Sequence, residues 1–470
     1  MTATKPGGDP THPNWFAAER PTRNLSAQAV AFVASRGVLA ASTILVAHAV
    51  GISDYGAVPD RSLIFVSPHR ARSGSDIPTR PAALLRQFID SGAFDAVTVV
   101  NRLRPDLAVR AMAAIPRRGE RLTRFGPLFG LAAPLKTDGP DPAADGANER
   151  GTGTAASVAR TRVTLVEHPW PYGAMESGFL ARLVAEAATS GPTVLWVADP
   201  KSARVFERLD GVSRLVTAFD AYDAWDLSPL VRGRRRLDAV RRGYSAAAKG
   251  ADVVFANTRL MRDRLSAMGA RHAVLLPNAC ADVSPGAPAA EPYLAYVGRI
   301  HERFDVRLAL AVADALAGGA HQGATLRIAG PVEREPAGWA ALAAHSSVRM
   351  VGPLPAAQAR AFVAGARALL VPHTPDDYTR SQDAMKAWDA IAAGVPVVST
   401  SVPPADGWPP DLAVVADDPV GFAAAAMEAL DGHLDGSRQA RLDHAAANRW
   451  QDRARTALEV LAGLRAEAAR

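Results

Sequence analysis

Cysteine is almost absent from this sequence, and its scarcity excludes two ways of holding a fold together. Cys280 is the single cysteine among 470 residues, so the chain can form no internal disulfide. Without a CxxC pair or a cluster of histidines, the sequence also gives no basis for a structural zinc site. A chain without disulfides is typical of a reducing compartment, which predicts a cytoplasmic protein.

Long apolar runs are missing as well. Residues 1–24 are polar and rich in proline, which argues against a cleaved secretory signal. The most apolar stretch, residues 25–52, is interrupted by Arg36 and His48 and contains no unbroken run of the roughly 20 residues that span a bilayer. We expect residues 1–59 to form an extension with a buried or interfacial apolar helix, with peripheral contact to a membrane surface as the alternative.

Positive charge is in slight excess but is not concentrated. The 53 Lys and Arg residues exceed the 47 Asp and Glu residues, for a net charge of +6, and they are spread along the whole chain. Such a balance is compatible with anionic metabolites or an anionic membrane surface. No basic helix with interleaved aromatic residues is present, so we expect no nucleic-acid partner.

Short apolar strands such as "SLIFV" and "TVLWV" alternate with helical patterns over most of the chain. One set occupies residues 60–276, with a Gly, Pro and Asp-rich segment at 136–159 that reads as a flexible loop. A second set occupies residues 277–437, and residues 438–470 follow it. Near-continuous apolar strands are typical of parallel sheets covered on both faces. We therefore predict an α/β protein of two Rossmann-like domains, with the active site in the cleft between them.

The loop after the strand "YLAYV" in the second domain offers one candidate site. It contains Gly298, Arg299 and Arg303. Glycine lets a ligand approach the backbone, and guanidinium groups and free helix amides both favour phosphate. A solvated surface turn is the alternative, and this segment alone does not decide between the two.

The segment "AMKAWDAIAAGVPVVST" offers a second candidate. Lys386 and Asp389 lie three residues apart on one face of a predicted helix, near its positive end. Lysine suits a phosphate, and a carboxylate can accept hydrogen bonds from both ribose hydroxyls. The alternative is a surface ion pair worth roughly 0.3 kcal/mol. Because this charged helix start follows a strand in a two-domain Rossmann chain, we predict a nucleoside diphosphate site.

Several motifs resemble those of a known family. "YVGRIHERFD", "LRIAGP", "VGPLP" and "MKAWDAIAAGVPVVST" resemble the donor-binding half of GT-B glycosyltransferases of the retaining Glu-x7-Glu class. Within that class they look most like the teichuronic-acid-type glycosyltransferases of bacterial envelope polysaccharides. "TRPAALLRQF" and "FDAYDAWDLSPL" resemble first-domain motifs of the same group. "NRWQDRARTALEVL", with Trp450, resembles the family's last helix, which crosses back to the first domain. The resemblance therefore implies a C-terminal crossing helix over residues 438–470.

The resemblance implies roles for four residues of the second domain. Arg299 and Lys386 would hold the donor diphosphate, and Asp389 would hold the ribose. Asp389 is one methylene shorter than the family's second Glu. Ser381 stands where the first Glu would contact the donor sugar.

The loop after Gly298 departs from the family as well. Many relatives carry a lysine six residues after the arginine at position 299, where this chain has Asp305. Arg303 is the candidate substitute for that lysine.

The first domain supplies candidates for the acceptor side. Asp220 and Asp223 follow a strand at the position where relatives carry a catalytic or acceptor-orienting residue. With Asp226 they also suggest a Mg²⁺ site, which we discount because a buried strand precedes them, and for Asp226 we prefer a capping role. His168 could orient an acceptor hydroxyl or act as a base, with a structural role as the alternative. Arg80 could face the cleft or cap its helix.

Together these features predict a metal-independent glycosyltransferase that uses a nucleoside diphosphate sugar as co-substrate and no other cofactor. The family resemblance implies that it retains the anomeric configuration. The acceptor would be a sugar, a lipid-linked molecule or a small molecule, in envelope polysaccharide, glycolipid or natural-product glycoside synthesis. Two alternatives stay open: a nucleotide-sugar 2-epimerase, and a non-catalytic GT-B scaffold that binds a partner.

Overall fold

The computed structural model describes residues 61–67, 79–102, 161–168, 172–318, 321 and 323–468. The expected N-terminal extension and the expected loop at 136–159 lie outside these residues. In the described part of the chain, every helix is too short or too polar to cross a membrane.

The first domain is a seven-stranded parallel sheet with helices between the strands. Its strands are β1 (Ser62–Val66), β2 (Ala96–Arg102), β3 (Arg162–His168), β4 (Thr193–Val197), β5 (Leu215–Ala221), β6 (Val253–Ala256) and β7 (Ala273–Leu275). Its helices are α1 (Arg80–Asp90), α2 (Ala174–Ser190), α3 (Arg234–Gly250) and α4 (Arg259–Ala267), with a 3-10 helix at Ala203–Arg208. The strand order is β3-β2-β1-β4-β5-β6-β7.

The second domain is a six-stranded parallel sheet of the same kind. Its strands are β8 (Tyr293–Val297), β9 (Thr325–Ala329), β10 (Val348–Gly352), β11 (Ala368–Val371), β12 (Val397–Ser399) and β13 (Ala413–Val415). Its helices are α5 (Val306–Ala317), α6 (Trp339–Ala344), α7 (Ala356–Ala364), α8 (Asp377–Arg380), α9 (Met385–Ala392), α10 (Pro419–Leu430) and α11 (Arg438–Ala446). The strand order is β10-β9-β8-β11-β12-β13.

Both sheets reverse their strand order at one point, between β1 and β4 in the first and between β8 and β11 in the second. In open α/β sheets of this type, ligands bind in the crevice outside the carboxyl ends of the strands at such a reversal. The prediction of two Rossmann-like domains is confirmed, and the reversal between β8 and β11 is the expected ligand position in the second domain.

The central strands β1, β4 and β11 are buried along their whole length because each sheet is covered on both faces there. In β1, Leu63 and Phe65 belong to one buried cluster, while Ile64 and Val66 belong to another on the opposite face. This alternation with a period of two residues is what a strand with two buried faces requires.

The chain returns to the first domain at its end. Helix α11 packs on the second domain, where buried Arg441 donates hydrogen bonds to backbone carbonyls. Helix α12 (Trp450–Ala468) instead buries Trp450 and Leu461 in the apolar cluster that contains Leu84 of α1. The crossing therefore begins at Trp450, after α11, and the expected return of the last helix is present.

Candidate nucleotide-sugar site

Positively charged side chains converge at the strand-order reversal of the second sheet. Gly298 and Arg299 directly follow β8, Arg303 lies in the same loop, and Lys386 is in the first turn of α9. We call Arg299, Arg303 and Lys386 the cationic cluster. The two loops proposed from the sequence therefore meet at one place.

The position of Lys386 explains the glycine at 298. The Lys386 ammonium lies 4.1 Å from the centroid of the Tyr296 ring and 3.4 Å from His373 Nε2. A Cβ atom at position 298 would lie only 2.7 Å from Lys386 Nζ, and the residue has φ of +144°. Any side chain at 298 would therefore displace the ammonium from the end of β8.

The cluster is electrostatically prepared for an anion. Burial, and then the Arg303 charge, lower the pKa of Lys386 well below its usual value. Burial and the neighbouring cations lower the pKa of His301 to about 3, and they lower that of His373 as well. The histidines are therefore neutral at pH 7. A bound phosphate would favour the charged form of Lys386 and satisfy the guanidinium donors.

The two arginines of the cluster have different partners. Arg303 Nη1 donates to Gln382 Oε1 at 3.0 Å, while Arg303 Nε is buried and no described residue accepts a hydrogen bond from it. The Arg299 side chain is 43% exposed and lies 3.4 Å from Glu333. Asp305, where relatives carry a lysine, accepts a hydrogen bond from Arg307 N and caps α5. The sequence difference at 305 thus supplies a helix cap, and Arg303 stays the candidate substitute for the family's lysine.

Asp389 lies three residues after Lys386 in α9. Among the described residues, Asp389 forms an ion pair neither with Lys386 nor with any other cation. Burial raises the pKa of Asp389 to about 6, and the Arg360 charge opposes this shift. The surface ion pair considered as an alternative is therefore not formed. With a pKa near 6, most of the carboxylate is ionised at pH 7.

Ser381 is turned toward the domain boundary. Its side chain is fully buried, its Oγ donates to Tyr378 O at 2.6 Å, and it accepts a hydrogen bond from Ala224 N at 2.9 Å. The hydroxyl that stands in place of the family's sugar-contacting Glu therefore joins the two domains.

This contact predicts a stability effect. Ser381→Ala leaves the buried Ala224 N–H without an acceptor, which should lower the free energy of unfolding by about 1–3 kcal/mol. Urea denaturation would measure the change, with the exposed Ser266→Ala as the matched control. Equal stabilities for the two variants would contradict the role assigned to Ser381.

Asp220 and Asp223 lie in different surroundings in the first domain. Asp220, near the end of β5, is buried against Arg80, whose Nε donates to Asp220 Oδ1 at 2.9 Å. Arg80 Nη1 also donates to Asn278 Oδ1 at 3.1 Å, so Arg80 is buried at the start of the interdomain connection and does not face open solvent. Asp223 is partly exposed and accepts a hydrogen bond from Gln382 Nε2 at 3.3 Å. Asp223, and not Asp220, therefore adjoins the cationic cluster.

Asp226 was expected to cap a helix, and this expectation is wrong. Both of its carboxylate oxygens accept hydrogen bonds from Arg264, and Arg241 Nε lies 3.7 Å away. The ion pair joins the β5–α3 segment to α4. Asp226 has no part in the candidate site.

His168 ends β3 and lies apart from the cationic cluster. It is buried, its ring is tilted by 42° against that of Phe179 with the centroids 5.1 Å apart, and its Nε2 lies 3.7 Å from Glu176 Oε1. Burial and the Arg102 charge lower its pKa to about 3. The histidine is thus neutral over the physiological range, which leaves a hydrogen-bonding role open to it.

Three residues near the cluster were missed from the sequence: His301, His373 and Gln382. His373 follows the strand "ALLV", and the rule that sites lie after strand ends could have found it. Gln382 carries no sequence signal, because its contacts depend on how the domains meet. The described residues contain no group of three or more His, Cys, Asp or Glu side chains suited to a metal ion.

Known proteins share this architecture. No curated protein matches the sequence. Residues 291–432 match the family model described as Glycosyl transferases group 1. The described site lies largely inside that segment.

Solved structures of similar fold cover most of the chain. Trehalose 6-phosphate synthase from Burkholderia multivorans is 12% identical with a TM-score of 0.53, covering 87% of this chain and 99% of its own. HepE from Anabaena, in complex with UDP-glucose, is 12% identical with a TM-score of 0.54, covering 86% and 99%. Sucrose-phosphate synthase from Thermosynechococcus elongatus is 14% identical with a TM-score of 0.54, covering 87% and 100%. The chain therefore has the GT-B fold, and its second domain matches the Glycosyl transferases group 1 family.

Proposed function

We propose that the protein is a glycosyltransferase that moves a sugar from a nucleoside diphosphate sugar to an acceptor hydroxyl. The observation that carries this proposal is the cationic cluster at the strand-order reversal of the second sheet, next to Asp223 of the first domain. The family match over residues 291–432 supports the same activity. Because a structure of similar fold holds UDP-glucose, we propose a UDP-sugar as the donor.

In this proposal the cationic cluster neutralises the diphosphate as it leaves. Negative charge grows on the leaving group when the glycosidic bond breaks, and cations fixed in advance stabilise that charge without reorganising. Lys386, whose ammonium lies beside Gly298, would contact the phosphates together with Arg299 and Arg303. Asp389, ionised and without an ion-pair partner among the described residues, would accept hydrogen bonds from the ribose hydroxyls.

The first domain would bind the acceptor. Asp223 faces the cluster and is the candidate to orient the reacting hydroxyl, while His168 is a second candidate farther along the sheet edge. Asp220 would act through its ion pair with Arg80, by holding the end of β5 in place. We infer that the acceptor is a sugar, a lipid-linked molecule or a small molecule of envelope polysaccharide, glycolipid or natural-product glycoside synthesis.

The finer features of the reaction come from the motif resemblance. We propose retention of the anomeric configuration, as in the Glu-x7-Glu class and its teichuronic-acid-type members, and a transfer step without a metal ion. Proton NMR of the product would distinguish retention from inversion. Turnover that survives a metal chelator would support metal independence.

A ligand screen tests the proposed function. The melting temperature would be measured with UDP, GDP, dTDP and ADP and their sugars in the presence of EDTA, because ligand binding to the folded state stabilises it by linkage. We expect UDP and a UDP-sugar to raise the melting temperature and UDP to be released on turnover. No shift with any nucleotide would favour the non-catalytic scaffold. Conversion of the donor to its 2-epimer would identify an epimerase.

Binding of UDP should also take up protons. Lys386 has a lowered pKa in the free protein, and a neighbouring phosphate raises it, so the complex holds more protons than its parts. Affinity should therefore fall as the pH rises from about 7 to 9, where the UDP phosphates are already ionised.

Calorimetry at about pH 8 in buffers of different ionisation enthalpy measures this uptake. Lys386→Arg should bind UDP with smaller uptake and a flatter pH dependence, because arginine stays charged throughout this range. Equal proton uptake by the two proteins would contradict the assignment to Lys386.

A further inference from the structure

Two consecutive side-chain contacts cross the domain boundary beside the cationic cluster. Ser381 Oγ accepts a hydrogen bond from Ala224 N at 2.9 Å, and Gln382 Nε2 donates to Asp223 Oδ2 at 3.3 Å. The two residues on each side are neighbours in sequence. The segment 381–382 of the second domain is therefore held in register with the segment 223–224 of the first.

A further hydrogen bond from the first domain holds segment 381–382 in place. Thr258 Oγ1, at the start of α4, donates to Ser381 O at 3.4 Å. Ser381 is thus bonded through its side chain and its backbone. Gln382, the next residue, has a fixed backbone from which to project its amide.

Gln382 contacts a different kind of group at each end of its amide. Its Oε1 accepts from Arg303 Nη1 at 3.0 Å, while its Nε2 donates to Asp223. A guanidinium can only donate hydrogen bonds and an ionised carboxylate can only accept them. A side-chain amide satisfies both at once, which neither a carboxylate nor an ammonium could do.

We propose that Gln382 is a positioning residue for sugar transfer, which fixes the Asp223 carboxylate of the first domain relative to the Arg303 guanidinium that faces the leaving diphosphate. The inference rests on the proposed function and deepens it. The Arg303 cation, on the side of the leaving group, and the Asp223 carboxylate, on the side of the acceptor, belong to different domains. The Gln382 amide sets the distance between them. Loss of the amide therefore affects the reaction more than the binding of the nucleotide.

The charge state of Asp223 offers a specific readout. Burial raises its pKa to about 7, and the Gln382 hydrogen bond and the Arg303 and Arg80 charges oppose this rise. The other titratable groups that face it are Asp383, Tyr222, Tyr244 and Tyr378. Without the Gln382 donor the ionised form loses a hydrogen bond, so its pKa rises further and a larger share of Asp223 is protonated at pH 7.

Two variants test the proposal. Gln382→Leu removes both hydrogen bonds at similar size, and Gln382→Glu keeps an acceptor for Arg303 but sets a second carboxyl group against Asp223. We expect kcat for UDP release from UDP-glucose, with water as acceptor, to fall about 10- to 100-fold in both, while the Kd of UDP changes less than about threefold. The acid limb of the rate profile should move to higher pH by about one unit, most clearly for Gln382→Glu.

The control is Gln439→Leu, an exposed glutamine in α11. Its kcat, Kd and pH profile should equal those of the wild-type protein. Melting temperatures of all variants separate a loss of folding from a loss of positioning, and Gln382→Glu provides the result if Gln382→Leu does not fold.

The failure of each proposal has its own signature. If the wild-type protein binds UDP and releases it from UDP-glucose, but kcat and the pH profile of both Gln382 variants match the wild type, the positioning role is overturned alone. If the wild-type protein neither binds UDP nor turns over the donor, the proposed function is overturned, and this inference with it.

Discussion

Replacement of Lys386 by alanine should weaken UDP binding about 10- to 100-fold. The ammonium lies at the carboxyl end of β8 against Gly298, where a phosphate would receive a charge-assisted hydrogen bond. Such bonds contribute about 1.5–3 kcal/mol, and each 1.4 kcal/mol is a factor of ten in Kd. Titration calorimetry with UDP in EDTA measures the change.

The matched control is Lys249→Ala, which removes an exposed lysine at the end of α3. This variant should bind UDP like the wild-type protein. The melting temperature of Lys386→Ala without ligand should not fall, because burial disfavours the charged form of this side chain and it has no ion-pair partner among the described residues. Unchanged UDP affinity in Lys386→Ala would remove Lys386 from the donor site.

Replacement of Arg80 by methionine should lower the free energy of unfolding by about 3–5 kcal/mol. Arg80 and Asp220 form a fully buried ion pair with a closest nitrogen to oxygen distance of 2.8 Å. Removal of one partner leaves a buried carboxylate without its counter-charge. The effect should be larger at pH 8 than at pH 5. Burial already raises the pKa of Asp220, and without Arg80 it rises further, so the variant regains stability as Asp220 is protonated.

Urea denaturation at the two pH values measures this loss. Arg204→Met, which breaks an exposed ion pair with Glu207, should cost no more than about 1 kcal/mol. The double variant Arg80→Met with Asp220→Leu should recover part of the stability, since no buried charge is left unpaired. An Arg80→Met variant as stable as Arg204→Met would contradict the importance of the buried pair.

The fold could be predicted from the sequence because its signals are local. Apolar runs such as the one at Ser62–Val66 indicate a strand that is buried on both faces of a sheet. The alternation of strands and helices indicates that the strands are parallel. The same reasoning located Lys386 and Gly298, because both lie where strands or helices begin or end. A ligand site at the edge of a parallel sheet can thus be recognised in part from the sequence alone.

Contacts between residues far apart in the sequence could not be predicted in this way. Asp220 pairs with Arg80 across 140 positions of sequence, and Ser381 with Ala224 across 157. Nothing near Asp220 distinguishes a carboxylate that will be buried in an ion pair from one that will meet a substrate. Gln382 shows the same limit, since an amide becomes informative only when both of its partners are known.

The most direct test of the nucleotide site is a crystal structure of the protein with UDP. We predict the diphosphate outside the carboxyl ends of β8 and β11, with phosphate oxygens about 2.7–3.2 Å from Lys386 Nζ and from the Arg303 guanidinium. The ribose should lie on the side of Asp389. A diphosphate bound elsewhere, or one at this edge that contacts neither Lys386 nor Arg303, would contradict the proposed role of the cationic cluster.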